Sequence, residues 1–189
     1  MEIILRCAVP DRPGALAALA GVIGEGGGDI QAVEVVDTAD GLALDDLVVV
    51  LSEPSQLSRL VERIEALEGF DVVHAGPSRG HPGDAVTRVA LGLGSLLDGS
   101  MTEEHALVTL VGGLLRATSV DVLPAGEAPR AGAKTLVLPF AERVLVARRD
   151  YRFTDTERER VQSILRTCAT ATALLASLGG TEGTGGASA

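Results

Sequence analysis

Aromatic side chains are almost absent from this chain of 189 residues. Phe, Tyr and Trp make up 2% of it, and there is no Trp. Because bases and sugars bind proteins largely by stacking on such rings, single-stranded nucleic acid is a poor match for this composition. The apolar fraction is nevertheless 46%, which predicts a core built from aliphatic side chains.

Basic residues are scarce in the first part of the chain. Residues 1–76 carry 4 basic and 14 acidic side chains, whereas residues 77–189 carry 12 of each. The formal net charge of -10 therefore arises entirely in the first part. A surface of that sign repels phosphate backbones and anionic membranes. We expect neither nucleic acid nor a membrane as a partner.

Cysteines and long hydrophobic runs are also few. Cys7 lies in an apolar run and Cys168 in a helical pattern, and these unlike settings favour two reduced thiols over a disulfide. The start Met1-Glu2-Ile3 is not basic, and the apolar run that follows is too short for a signal peptide or a membrane span. These features predict a cytoplasmic protein.

Glycine and proline suggest where the chain divides. Residues 77–84 are rich in both and have no hydrophobic period, which is typical of a linker. Residues 179–189 are Gly, Thr, Ser and Ala with one Glu, which predicts a disordered tail. We therefore predict two domains, residues 1–76 and residues 85–178.

Hydrophobic periodicity in residues 1–76 predicts the order β-α-β-β-α-β. Asp40-Gly41 suits the positive φ angles of a hairpin turn between the second and third strands. Because βαβ crossovers are right-handed, this order builds a four-stranded sheet with both helices on one face. The predicted class is α+β with a ferredoxin-like fold. The strands are expected at residues 3–9, 30–36, 44–51 and 70–75.

Residues 85–178 are predicted to form a second, smaller α+β domain that is rich in helix. One helix is expected from Val86, another after a cap at Thr102, and a last one after the capping box Thr154-Asp155-Thr156-Glu157. Three short strands precede the last helix. Its apolar seam, Val161 to Leu178, suits packing against the helix at Val86 or against a second copy of the chain.

The most informative segment is Asp11-Arg12-Pro13-Gly14-Ala15-Leu16, which lies between an apolar run and an amphipathic stretch. Pro13 has a φ suited to a first helical turn, and Gly14 allows close approach to the backbone. The unpaired amides and the dipole at such a helix start attract an anion. Asp11 can meet an ammonium group, and an amino acid carries both charges. In the alternative, Asp11 only caps its own helix.

Val9 to Leu16, followed by Gly27-Gly28-Asp29-Ile30, resembles the ACT domain, an amino-acid-sensing module of biosynthetic enzymes and regulators. The resemblance implies a homodimer in which the partner supplies Gly28 to Ile30 to the ligand pocket. Asp29 stands where the family often has Asn, and a lining with Asp11 and Asp29 predicts a preference for neutral or basic amino acids. The candidate ligand-binding residues are Asp11, Arg12, Pro13, Gly14, Ala15, Leu16, Gly28, Asp29 and Ile30.

The second half resembles a GAF-type sensor fold in truncated form. The resemblance rests on Val137-Leu138-Pro139, on Arg143 to Arg149, and on Phe153 to Glu157. A single loop joins Leu123 to Thr135, where that family usually has further strands and a helix. The resemblance implies a GAF-like, helix-rich domain.

Neither a metal site nor a catalytic set is predicted. The three histidines, His74, His81 and His105, lack metal-ligand spacing. Asp45 and Asp46 are neighbours on a strand and point to opposite faces, which is wrong for shared acid-base chemistry. Five arginines among acidic residues predict a solvated, salt-bridged surface, with nucleotide binding as the alternative. They are Arg148, Arg149, Arg152, Arg158 and Arg160.

The sequence therefore supports two functional hypotheses. In the first, the chain is a stand-alone regulatory protein, without a cofactor or enzymatic activity, that binds an amino acid at an ACT dimer interface and signals to a protein partner. In the second, it is a ligand-free scaffold for dimerisation and interaction. Stabilisation by an amino acid distinguishes the two.

Overall fold

The computed structural model describes residues 1–78 and 85–179. Most of the predicted linker, 77–84, and of the predicted tail, 179–189, lies outside these residues. The chain divides into two compact units, Met1–Pro82 and Gly83–Ala189. In the described parts of both units, no helix combines the length and the apolar character needed to cross a bilayer.

The N-terminal unit has the predicted order of elements. Its four strands form one antiparallel sheet in the order β2-β3-β1-β4, so the predicted ferredoxin-like α+β fold is confirmed. Strand β4 reaches one residue into the predicted linker because Pro77 pairs with Ile3. The elements are β1 (Glu2–Pro10), α1 (Ala15–Glu25), β2 (Gly28–Ala39), β3 (Leu42–Leu51), α2 (Gln56–Glu65) and β4 (Asp71–Pro77).

The core of this unit is aliphatic, as the composition predicted. Alternate residues of β1 and β3 point to it, because successive side chains of a strand lie on opposite faces. Helices α1 and α2 pack on the same face through Leu19 and Ile23 and through Leu60 and Ile64. The buried strand residues are Ile3, Leu5, Cys7 and Val9 of β1 and Ala43, Leu47, Val49 and Leu51 of β3. Each fully buried Leu or Ile contributes about 1.5–3 kcal/mol.

The turn between β2 and β3 is the one predicted from Asp40-Gly41. Both residues have positive φ angles, 55° for Asp40 and 75° for Gly41. A two-residue turn of this type matches the right-handed twist of the flanking strands. The local sequence therefore determines the register of the β2–β3 hairpin at this end.

In residues 85–179, the C-terminal unit contains three α-helices, a short 3-10 helix (Ala125–Glu127) and a three-stranded antiparallel sheet in the order β5-β7-β6. Helix α5 continues to Gly179, the first residue of the predicted tail. The GAF-like interpretation of this unit stays a prediction. The elements are α3 (Ala85–Leu97), α4 (Glu103–Leu115), β5 (Ser119–Pro124), β6 (Thr135–Phe140), β7 (Arg143–Arg148) and α5 (Asp155–Gly179).

Both predicted helix caps of this unit are confirmed. The Thr102 hydroxyl accepts a hydrogen bond from the His105 amide at 3.3 Å. At the start of α5, the Thr154 hydroxyl accepts from the Glu157 amide at 3.1 Å, and the Glu157 carboxylate accepts from the Thr154 amide at 2.8 Å. This reciprocal pair is a capping box.

The predicted seam of α5 is buried only over its first turns. Val161, Leu165 and Cys168 belong to the core of the unit. Further along the helix, Leu174 is 59% exposed and Leu175 is also exposed. Leu165, one residue after the predicted Ile164, therefore faces the centre of the core.

The arginine cluster is not uniformly solvated, which corrects the sequence-based interpretation. Arg148 pairs with Asp121 at the surface, but the side chain of Arg149 is fully buried beside Glu157. Arg148 is the last residue of β7 and Arg149 directly follows it. Successive side chains of an extended chain point to opposite sides, which explains the difference between the two arginines.

Candidate functional site

Residues 11–14 form a hydrogen-bonded turn between β1 and α1. The Asp11 amide donates to the Gly41 carbonyl at 2.9 Å, which ties the turn to the β2–β3 hairpin. The Ala15 amide donates to the Arg12 carbonyl at 3.2 Å, and Gly14, with a φ of 89°, is the N-cap of α1. The sequence placed Pro13 in the first helical turn. It instead precedes the cap, because the chain closes this extra turn before the helix begins.

The start of α1 carries amides that the described part of the chain does not cap. No side chain there accepts a hydrogen bond at the N-cap, so the alternative in which Asp11 caps the helix is wrong. The first helical bond runs from the Ala18 amide to the Gly14 carbonyl at 3.0 Å. The amides of Leu16 and Ala17 therefore remain available, and the helix dipole favours an anion beside them.

The space beside these amides is open. Asp11, Arg12 and Pro13 are exposed, and Leu16 is 40% exposed. A Cβ atom built on Gly14 would meet no other heavy atom within 4 Å. Because the positive φ of Gly14 strains any other residue, replacing Gly14 disturbs the backbone as well as a ligand.

Gly28, Asp29 and Ile30 lie at the opposite end of the sheet from this turn. Asp29 and Glu2 both pair with Val50, whereas Pro10 at the other end of β1 pairs with Leu42. The nine residues of β1 separate the two groups by about 27 Å. One copy of the chain therefore does not bring the two halves of the predicted site together.

Close packing explains why residue 28 is a glycine. A Cβ atom there would lie 2.8 Å from side-chain atoms of Ile23 and Val49. The next residue, Asp29, is exposed, and its carboxylate accepts a hydrogen bond from the Gln31 side chain at 2.6 Å. Gly28 thus allows β2 to approach α1, while Asp29 points to solvent.

Comparison with known families identifies the N-terminal unit. The family model described as the ACT domain matches residues 3–69. Residues 3–69 are an ACT domain. The turn at residues 11–16 and the segment Gly28 to Ile30 both belong to it, as the resemblance in the sequence predicted. No curated protein matches the chain.

Several solved structures are similar to the chain. The regulatory subunit of aspartate kinase from Thermus thermophilus, in its ligand-free form, is 11% identical with a TM-score of 0.37, and 88% of this chain and 91% of that chain are covered. The corresponding subunit from Thermus flavus is 14% identical with a TM-score of 0.36, and 90% of this chain and 91% of that chain are covered. A structure described as an unknown protein from Galdieria sulphuraria is 13% identical with a TM-score of 0.35, and 89% of this chain and 91% of that chain are covered.

The ACT domain also contains a buried carboxyl group that the sequence analysis did not assign to the site. Asp45 lies on the core face of β3, directly opposite Cys7, and is only 2% exposed. Burial raises the pKa of Asp45, and the nearby carboxylates of Asp46 and Asp11 raise it further. Its Oδ1 atom has no hydrogen-bond partner in the described structure. The sequence did contain an indication of this buried acid. Asp45 stands between Ala43 and Leu47, at a position where the alternation of the strand predicts an apolar residue.

Asp46 has a different environment from its neighbour, as the alternation of the strand predicted. Its carboxylate accepts two hydrogen bonds from the Arg6 guanidinium, at 2.6 and 2.8 Å. Both side chains are buried. The two acids are therefore unsuited to shared acid-base chemistry.

The remaining titratable candidates do not form a second site in the described residues. Cys7 and Cys168 are both free and buried, as predicted, and burial raises the pKa of Cys7 to about 12. Its thiol stays protonated and unreactive at neutral pH. Within residues 1–78 and 85–179, no three His, Cys, Asp or Glu side chains lie close enough to hold a metal ion, and His81 lies outside these ranges.

Proposed function

We propose that this chain is a regulatory protein whose ACT domain binds an amino acid at the turn of residues 11–16. The observation that carries the proposal is the uncapped start of α1 beside open space at Gly14. The ligand carboxylate would accept hydrogen bonds from the amides of Leu16 and Ala17. Its ammonium group would face Asp11.

A second copy of the chain would complete the site with Gly28, Asp29 and Ile30. Strand β2 is at the edge of the described sheet and pairs only with β3 there. It exposes Val33 and Val35, the latter by 53%. A long edge strand with exposed apolar side chains favours pairing with another strand. These features support a homodimer formed along β2.

Regulation then requires only that the ligand binds one arrangement of the two copies better than another. In this proposal, residues 1–76 bind the ligand, and the helix-rich domain at residues 85–178 passes the change to a protein partner in the cytoplasm. Residues 77–84 connect the two, residues 179–189 form a tail, and the chain performs no catalysis of its own.

We expect Leu16→Glu to abolish amino-acid binding without unfolding the ACT domain. The new carboxylate would occupy the positive end of α1 and repel the ligand carboxylate, lowering affinity at least about tenfold. The same charge stabilises the helix by about 0.3–1 kcal/mol. Thermal shift and calorimetry with each of the twenty amino acids measure both effects.

Leu16→Gln is the matched control, because it has nearly the same shape without the charge. It should retain most of the affinity of the unmodified protein. Equal binding by the Glu and Gln variants would place the ligand elsewhere. If no amino acid stabilises the unmodified protein, the ligand-free scaffold becomes the better hypothesis.

We also expect the amino acid to strengthen self-association, because a ligand shared between two copies binds the dimer better than the monomer. Val33→Lys should weaken the dimer and the ligand affinity together, each by about tenfold or more. Leu175→Lys, at a similarly exposed position on α5, is the control and should leave both unchanged. Sedimentation velocity with and without ligand measures association. The opposite pattern would make α5 the interface.

A further inference from the structure

Asp45 is a buried acid of the ACT domain that has no role in the site as described so far. It is 2% exposed, and its Oδ1 atom has no hydrogen-bond partner in the described structure. Asp46, next to it, is bound by Arg6. Burying a carboxylate without a counter-charge is unfavourable, and such exceptions concentrate at functional sites. Asp45 therefore requires an explanation that packing does not supply.

The position of Asp45 connects it to the uncapped start of α1. Its partner on β1 is Cys7, and the paired strands end three residues further on, at Pro10 and Leu42, a distance of about 10 Å. Helix α1 begins at this same end of the sheet, and its first residue, Ala15, is buried. Asp45 lies on the helix-bearing face of the sheet, three residues from the end of β3 at which α1 begins.

We propose that Asp45 acts together with Asp11 as the counter-ion for the ammonium group of the ligand bound at residues 11–16. This inference rests on the proposed function, because the carboxylate of the same ligand would occupy the amides of Leu16 and Ala17. Asp45 can turn towards the ligand without losing a hydrogen bond, since its Oδ1 atom makes none within the described structure. The ligand class becomes an amine-bearing zwitterion, and the corresponding hydroxy or keto acid is rejected.

The charged groups around Asp45 also favour a cationic group on the ligand. Asp46 on β3 and Asp11 in the turn are both acidic, and Cys7 faces Asp45 from β1. Val35 of β2 pairs with Asp45 on the other side, and the first turn of α1 contains no acidic residue. A second cationic group on the ligand would therefore be favoured, and an acidic side chain would be repelled.

Binding should also depend on pH. Burial raises the pKa of Asp45 in the free protein, so a fraction of this carboxyl group is neutral as the pH falls towards that pKa. An ammonium group beside it lowers the pKa again. Ligand binding therefore releases protons, and the affinity should rise with pH until Asp45 is fully ionised.

The decisive experiment compares the full-length protein with its Asp45→Asn variant. Calorimetry first identifies the amino acid that binds most tightly, and the 2-hydroxy acid with the same side chain is then the second probe. The unmodified protein should bind the amino acid at least about tenfold more tightly than the hydroxy acid. In the variant this preference should disappear through weaker binding of the amino acid. Asp71→Asn, an exposed acid at the same end of the sheet, is the control and should behave like the unmodified protein.

The results separate the role of Asp45 from the proposed function of the chain. An Asp45→Asn variant that keeps the preference for the amine overturns the role of Asp45, while the proposed function stands. Absence of binding by every amino acid in the unmodified protein overturns the proposed function and this inference with it. If the variant does not fold, calorimetry of the unmodified protein decides, in two buffers of different ionisation enthalpy at a series of decreasing pH values. An absence of proton release throughout the pH range in which buried carboxyl groups titrate contradicts the proposal.

Discussion

Arg149→Ala is expected to destabilise the C-terminal unit by about 3–5 kcal/mol, because it removes one partner of a buried ion pair. Arg149 donates two hydrogen bonds to the Glu157 carboxylate, at 2.9 and 2.6 Å. It also donates to the Leu115 carbonyl at 2.6 Å and to the Arg152 carbonyl at 2.7 Å. One guanidinium thus joins the end of α4, the segment after β7 and the capping box of α5.

Aromatic rings enclose the same guanidinium and supply a way to measure its contribution. Its central carbon lies 4.2 Å from the ring centre of Tyr151 and 4.0 Å from that of Phe153, which favours cation–π attraction. Tyr151 is the only Tyr in a chain without Trp. Tyrosine fluorescence during urea denaturation therefore reports the unfolding of the C-terminal unit alone.

Arg148→Ala is the matched control for this prediction. Arg148 and its partner Asp121 are 41% and 49% exposed, and an exposed pair contributes about 0–1 kcal/mol. A loss of stability in Arg149→Ala no larger than that in Arg148→Ala would contradict the assigned role of Arg149.

Arg6→Met is expected to destabilise the ACT domain by about 3–5 kcal/mol, because it leaves the Asp46 carboxylate buried without its counter-charge. The paired side chains are each 2% exposed. Residues 1–82 contain neither Tyr nor Trp, so hydrogen exchange of the β1 and β3 amides is the suitable measurement. Protection of these amides should fall in the variant, while that of α4 and β7 should not.

The double variant Arg6→Met with Asp46→Leu tests the reason for that loss. Replacing both partners of a buried ion pair by apolar residues is often neutral or stabilising. The double variant should therefore recover most of the protection that the single variant loses. If it remains as unstable as Arg6→Met, the uncompensated charge is not the cause.

Local signals predicted the elements that depend on neighbouring residues. The Asp40-Gly41 turn requires positive φ angles that few residue pairs adopt, and the Thr154-to-Glu157 capping box satisfies amides within four residues. The order of strands followed from the handedness of βαβ crossovers. These features involve short distances along the chain, and so a single sequence contains them.

Burial and pairing across the sheet could not be predicted in the same way. Arg148 and Arg149 are neighbouring residues of the same type, yet the side chain of Arg148 is at the surface and that of Arg149 is buried. Asp45 was predicted to face away from Asp46, but its lack of a hydrogen bond depends on which residues cover it. The separation between Gly28 and the turn at Asp11 depends on the register of β1, β2 and β3.

The sequence by itself determined the ferredoxin-like order, the helix-start turn and the acidic character of the ACT domain, because each follows from residue type and short-range geometry. Only the tertiary structure decided that, among the described residues, the amides of Leu16 and Ala17 are uncapped and the Oδ1 atom of Asp45 is buried without a hydrogen-bond partner. Those two facts depend on the packing of segments about 30 residues apart, where the free energy of each polar group is set by what surrounds it.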